Sequence, residues 1–184
     1  ERPLVFGNND TPGVMLSSAA KEYLKVYGVL VGRKPLIFTN NDSGYESAIE
    51  FKKNGIDPVI LDTRKNPTSE IIEEAKNLNI NIKFSYVVVA AKGYKKVKSA
   101  DIAKISEDKK YLEMLESINC DCICVSGFWT PTIHLASQSG NKTIFNKDID
   151  AFVPGQSKQE ETTVGAANGT FTLEETLKDS FNVG

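Results

Sequence analysis

Thr39, Asn41 and Gly44 stand at the three positions where a phosphate-binding turn of the form Gly-x-Gly-x-x-Gly would carry glycine, and only Gly44 keeps it. In such a turn the first glycine permits the bend, the second lets backbone approach a pyrophosphate, and the third lets a helix pack closely on its strand. Gly44 meets the packing requirement. Thr39 and Asn41 put side chains where the phosphates would lie. They either block that space or replace part of its hydrogen bonding, since asparagine tolerates left-handed backbone and donates through its amide. Asp42 adds a negative charge beside a site meant for an anion. Asp62 lies 18 residues after Gly44, where a carboxylate would accept the ribose hydroxyls of NAD. Arg64 follows it and is placed to meet a 2′-phosphate instead. The plain alternative is a polar strand end. The candidate dinucleotide-binding set is therefore Asn41, Ser43, Gly44 and Asp62, with NAD against NADP left open.

A second run, VSGFWTPTIHLASQSG, follows a strand-like segment. Gly127 lets a ligand or a backbone approach closely and joins the candidate binding residues. Pro131 is suited to begin a short helix over Thr132–Ser137. His134, the only histidine, has no nucleophile partner at readable spacing, so no catalytic residue is expected. Cys120, Cys122 and Cys124 point to one face at strand spacing, about 7 Å from one to the next. Neighbouring alternate positions on a flat strand are poor disulfide partners, and no further Cys or His completes a zinc set. The expectation is three buried small hydrophobes, no metal site, a reducing compartment and hence a cytoplasmic location.

Lys and Arg number 22 against 24 Asp and Glu, a net charge of −2 over 184 residues. That balance supplies no basic stripe for nucleic acid and no polybasic patch for a lipid surface. No apolar run reaches membrane-spanning length, and the first residues have no signal-peptide pattern. Because the chain opens on Glu1 and runs into a Pro/Gly-punctuated loop, it reads as a segment of a longer polypeptide.

The elements that would position these residues alternate. SSAAKEYLKVYG reads as a helix, with Ser17 or Ser18 as cap, an apolar face of Ala20, Leu24 and Tyr27, and Gly28 as its stop. KPLIFT is a strand, Ser43–Asn54 a helix closed by Gly55, DPVILDT a strand, TSEIIEEAKNLN a helix capped by Thr68 or Ser69, and INIKF a strand. That order is the mononucleotide-binding half of a doubly wound fold with right-handed crossovers. SYVVVAAKGYKKVKSADIAKI then reads as two or three strands of an antiparallel meander around Gly93. DKKYLEMLESI suggests a short helix, and CDCICVSG a strand returning to the parallel sheet. Beyond Gly140 the chain is turn-rich, with a short strand expected near Thr162–Gly165. A final helix begins at Thr172 with Glu175 three residues on, a capping box. The fold class is α/β, a Rossmann-like three-layer domain with a parallel sheet and an antiparallel meander.

The stretch from ERPLVFGNNDTPGVMLSSAA to NNDSGYESA, together with CDCICVSGFWTPTIHLASQSG and FVPG, resembles the alpha subunit of heterotetrameric sarcosine oxidase over essentially the whole chain. More distantly the layout is similar to flavoprotein oxidoreductases with two nested nucleotide domains. There Pro12-Gly13-Val14 would end an excursion from a first domain, and Val164–Gly169 would mark the return to it. The resemblance implies residues 1–16 and 151–184 as return segments and 17–150 as an NAD(P)-binding-type domain. It implies an oxidoreductase that demethylates sarcosine to glycine, with hydrogen peroxide and with formaldehyde or methylene-tetrahydrofolate as products. FAD, FMN, NAD and tetrahydrofolate would belong to the parent complex, and the beta, gamma and delta subunits and the other alpha domains would be its partners. The segment itself would be a largely structural, degenerate nucleotide domain. An independent NAD-binding domain, or the matching subunit of a proline- or opine-type amine dehydrogenase, is the alternative.

Overall fold

The computed structural model describes residues 1–184, which divide into two compact units, Glu1–Phe128 and Trp129–Gly184. The first unit contains strands β1 (Val14–Leu16), β2 (Pro35–Thr39), β3 (Val59–Asp62), β4 (Asn81–Phe84), β5 (Tyr86–Lys92), β6 (Ser99–Ile105), β7 (Leu112–Asn119) and β8 (Cys122–Ser126). Its helices are α1 (Ser17–Tyr27), α2 (Ser43–Lys53) and α3 (Glu70–Asn77). A five-stranded parallel sheet runs in the order β1-β8-β2-β3-β4, and β5-β6-β7 form a separate antiparallel sheet.

Two apolar clusters make three layers of this unit. Ala20 of α1, Tyr45, Ala48 and Phe51 of α2, and Ile72 and Ala75 of α3 pack on the sheet face carrying Ile37, Ile60, Cys122 and Cys124. The opposite face, with Leu36, Phe38, Leu61, Ile123 and Val125, packs against Val88, Ala91, Ala100 and Ile102 of the meander. Strands β2 and β8 are buried throughout their five residues each, as expected of parallel strands covered on both faces. The α/β, Rossmann-like three-layer architecture is thus the one the sequence pattern implies.

Local chemistry sets several boundaries. Gly28 ends α1 in the left-handed region at φ 62° and donates to the Leu24 carbonyl, the C-terminal role that glycine fills without a Cβ penalty. The serines at the start of α1 do not cap it. Leu16 holds the cap position, and the Glu1 carboxylate instead accepts from the Ser18 amide at 2.9 Å. Ser69 does sit at the start of α3, yet its hydroxyl makes no capping bond. On α1, Ala20 is buried and Leu24 packs on the core, whereas Tyr27 is exposed.

Residues 112–119 correct the helix expected there. Leu112–Asn119 forms β7, paired antiparallel with β6 from Ser99↔Asn119 to Ile105↔Leu112. The apolar spacing of Leu112, Leu115 and Ile118 is compatible with a helix, but β6 offers an unpaired edge, and tertiary pairing overrides propensity. Cys120 is a second correction. It precedes β8 rather than lying on it, and is buried in the meander-side cluster, opposite to Cys122 and Cys124.

The second unit contains α4 (His134–Gln138), the hairpin β9 (Thr143–Asn146) and β10 (Ala151–Pro154), and α5 (Leu173–Val183). The short strand expected near 162–165 is absent, and Gly165–Asn168 instead makes a 3₁₀ turn. Thr172 caps α5 as expected, its Oγ1 accepting from the Glu175 amide at 3.3 Å and donating to the Glu175 carboxylate at 2.6 Å. Thr172→Ala should lower the unfolding free energy by about 1 kcal/mol, read as a shift of the urea midpoint. Thr172→Ser should leave it nearly unchanged.

Candidate functional site

In an open parallel sheet, ligands bind at the carboxyl ends of the strands where the strand order reverses. Here that point is the gap between β2 and β8. The chain leaves β2 towards β3 and β4 and later returns through β8 on the other side. Thr39 faces Ser126 across it in register.

The gap is bridged by the chain's own side chains. Asn41, 6% exposed, donates its amide to the Ser126 carbonyl at 3.0 Å, to Ser126 Oγ at 3.2 Å and to Asn40 Oδ1 at 2.9 Å. Its own Oδ1 accepts from the Ser43 amide at 2.9 Å and also meets the Ser43 hydroxyl. Asn41 thereby satisfies one of the free amides at the start of α2, the kind of group a phosphate would bind in a nucleotide turn. Thr39 Oγ1 donates to the Asn41 carbonyl at 2.8 Å and accepts from the Asn41 amide at 3.1 Å, closing the turn on itself.

Gly44 keeps its role in packing. A Cβ there would lie 2.7 Å from both Cβ and Oγ1 of Thr39, inside van der Waals contact, so only glycine lets α2 approach β2. Gly44→Ala should therefore cost about 1–3 kcal/mol by overpacking, measured by urea denaturation. Thr39→Ser in the same background, which removes the Thr39 methyl group 3.1 Å from that Cβ position, should return part of that loss.

Asp62 ends β3 with no exposed surface. One carboxylate oxygen accepts from the Tyr45 hydroxyl at 2.7 Å and from Arg64 Nη2 at 2.8 Å. The other accepts from the Arg64 amide at 2.9 Å and from Arg64 Nε at 3.0 Å. Arg64 also reaches Asp42 at 2.8 Å. This fork-to-fork pairing is the geometry in which guanidinium and carboxylate interact most strongly. Burial acts to lower the Arg64 value, but its hydrogen bonds to Asp62 and Asp42 outweigh that and hold it above the ordinary arginine range. Burial and the neighbouring Asp62 carboxylate hold the Tyr45 phenol well above its ordinary value of 10.0.

The sign of the resulting pH dependence follows directly. The unfolded phenol ionises near 10.0 while the folded one resists ionisation. Its contribution to stability is therefore complete below that pH and is lost as the pH rises beyond it. Stability measured from pH 9 to 11.5 should fall more steeply in the wild type than in Tyr45→Phe.

Gly127 directly follows Ser126 at the end of β8. Its amide donates to the Arg2 carbonyl at 2.7 Å, and the Arg2 amide donates to the Phe128 carbonyl at 2.7 Å. A Cβ on Gly127 would sit 2.8 Å from the Arg2 carbonyl oxygen. The close approach that glycine permits is made here by the chain's first residues. They continue alongside β5, where the Gly7 amide donates to the Val89 carbonyl and the Ala91 amide to the Gly7 carbonyl.

The structure thus brings Asn41, Ser43 and Gly44 together at the turn, and Asp62 beside them through Tyr45 and Arg64. Two contributors escaped the sequence reading. Ser126 is visible only once β8 is placed next to β2, and Tyr45 only once α2 is turned onto the sheet. Cys122 and Cys124, with sulfurs 3.5 Å apart, are both buried below α1 and α2. Burial pushes the Cys120 thiol up to about 12. The hydrogen bond shared with Cys122, added to burial, likewise raises Cys124. These are inert thiols. His134 is exposed on α4. No group of three or more His, Cys, Asp or Glu is arranged to hold a metal, and no helix is long and apolar enough to cross a membrane.

No family model matches the chain. Among solved structures, the fold is similar to thioredoxin reductase from Lactococcus lactis, with a TM-score of 0.72 at 14% identity over 97% of this chain and 59% of that one. L-proline dehydrogenase from P. horikoshii aligns with a TM-score of 0.54 at 21% identity over 89% of this chain and 27% of that one. In sequence the chain is 38% identical over 172 residues to sarcosine oxidase subunit alpha from Rhizobium meliloti (strain 1021), covering 92% of this chain and 16% of that protein. It is 31% identical over 186 residues to the subunit of the same name from Corynebacterium sp. (strain P-1), covering 100% of this chain and 19% of that protein. The chain therefore spans less than a fifth of the relatives it matches. Over nearly all of its own length it is related in sequence to one stretch of the sarcosine oxidase alpha subunit.

Proposed function

We propose that this chain is a structural module of a sarcosine oxidase-type oxidoreductase, and that its nucleotide-binding turn is filled by its own side chains. The observation that carries the first part is the 38% identity to a sarcosine oxidase alpha subunit over 92% of the chain. The second rests on Asn41, which bonds to Ser126 and Ser43 where phosphates would lie, and on Asp62, whose carboxylate is committed to Tyr45 and Arg64.

On this reading the module contributes no group to bond making. The parent enzyme oxidises a secondary amine, giving glycine and hydrogen peroxide from sarcosine, with formaldehyde or methylene-tetrahydrofolate carrying the methyl carbon. FAD, FMN, NAD and tetrahydrofolate would be held by other parts of that enzyme. Residues 1–16 and 151–184 would lead to and from a neighbouring domain of the same subunit, and beta, gamma and delta subunits would complete the assembly in the cytoplasm. The residues here supply shape. Thr39, Asn41 and Ser43 tie α2 to β2 and β8, and the Asp42–Arg64–Asp62–Tyr45 network ties α2 to β3.

Oxygen uptake by the complete enzyme containing this segment tests the parent activity. Sarcosine should support turnover at least about tenfold better than L-proline at matched concentration, the discrimination that about 1.4 kcal/mol of transition-state binding provides. Turnover of proline with none of sarcosine would assign the segment to a different amine oxidoreductase.

A further inference from the structure

A second crevice opens at the carboxyl ends of β3 and β4, lined by Thr63 and Lys65, the chain neighbours of Arg64. It encloses about 230 Å³ between the loop after β3, the β4–β5 junction and the β6–β7 connection. Phe84 and Ile105 supply apolar walls, and Lys65, Lys104 and Lys109 reach its rim. Lys65 is paired with Glu107 at 3.0 Å. Neither Lys104 nor Lys109 takes part in an ion pair. With Glu113 as the other lining carboxylate, the crevice carries one more positive charge than negative.

Its backbone is unusual as well. Ser85 and Lys109 both line it, and both are non-glycine residues in the left-handed region, at φ 60° and 58°. Such residues persist only where the surroundings over-determine them. Ser85 is held from both sides, its amide donating to the Arg64 carbonyl at 3.1 Å and its carbonyl accepting from Ile105 at 2.7 Å. The wall is pinned open by the strands themselves.

We infer that this crevice binds a small organic anion, a phosphate ester or a carboxylate whose apolar body lies against Phe84 and Ile105 and whose charge meets Lys104 and Lys109. The volume sets the size. Drug-sized and cofactor sites run from about 300 to 1,000 Å³, so a dinucleotide does not fit and a molecule on the order of ten heavy atoms does. The inference is independent of the filled turn, because it uses no side chain of Thr39, Asn41, Asp62 or Arg64.

The test is a ¹H–¹⁵N NMR titration of the 184-residue protein with phenyl phosphate and with benzoate at matched ionic strength, using chloride as control. Phenyl phosphate or benzoate should shift the amides of Ser85, Ser106 and Lys109 saturably, with a dissociation constant on the order of 1 mM. A lower constant for phenyl phosphate would assign a phosphate ester, and a lower one for benzoate a carboxylate. Lys104→Gln/Lys109→Gln should weaken binding at least about tenfold, while Glu113→Gln should strengthen it, because a competing carboxylate is gone. Both variants change exposed residues, so folding is preserved and is checked by the unmoved amides of β2 and β8. Shifts that grow linearly with concentration, or binding unchanged in the double lysine variant, would overturn the proposal.

Discussion

Arg64→Met should lower the unfolding free energy by about 3–5 kcal/mol, the cost of leaving a buried charge without its partner. Asp62 has no exposed surface, and three of its four short polar contacts come from Arg64. The backbone amide of residue 64 and the Tyr45 hydroxyl remain in the variant, but neither carries positive charge. Adding Asp62→Asn to Arg64→Met should recover more than half of the loss, since a neutral amide has no charge to desolvate. Urea denaturation of the wild type, the single and the double variant gives the coupling directly. A single-variant loss below about 1 kcal/mol would place the pair with exposed ion pairs and remove it as the tie between α2 and β3.

Asn41→Ala should cost about 2–4 kcal/mol. The side chain supplies partners to the Ser126 carbonyl, the Ser126 hydroxyl and the Ser43 amide. Ser126 is fully buried, so its groups lose a partner in a place where water enters poorly, at about 1–3 kcal/mol each when nothing replaces it. The effect should be larger than that of Ser43→Ala, which removes a half-buried hydroxyl and leaves the amide bonded to Asn41. Near-equal losses would show that the contact with the Ser43 hydroxyl, rather than the link from β2 to β8, is what Asn41 contributes.

Both predictions concern residues that the sequence singles out for a different reason. Asn41 and Asp62 stand out because a nucleotide fingerprint puts ligand contacts there, and the structure places them just beyond β2 and at the end of β3. Spacing does not say what fills the site. That needed Ser126, 85 positions away from Asn41, and the side-chain direction of Arg64, neither of which a local pattern encodes. The parallel half-sheet was legible because each buried strand is short, apolar and bounded by a helix with its own stop signal, such as Gly28 or Gly55. β7 was not, because its apolar residues fall at a spacing that suits either period and its strand state is decided by β6. β1 was missed for a related reason. It is three residues long and exists as a strand only because β8 lies beside it. At Gly127 the close approach that glycine permits is taken up by the Arg2 carbonyl.

On the proposed reading, the chain's own side chains occupy the dinucleotide position where β2 meets β8. Calorimetric titration of the protein with NAD and with NADP, with Asp62→Ala alongside, measures it most directly. No saturable heat is expected for either nucleotide up to concentrations on the order of 1 mM. Micromolar binding abolished by Asp62→Ala would contradict it, and would mean that Arg64 gives way and the Asn41 turn cradles phosphate after all.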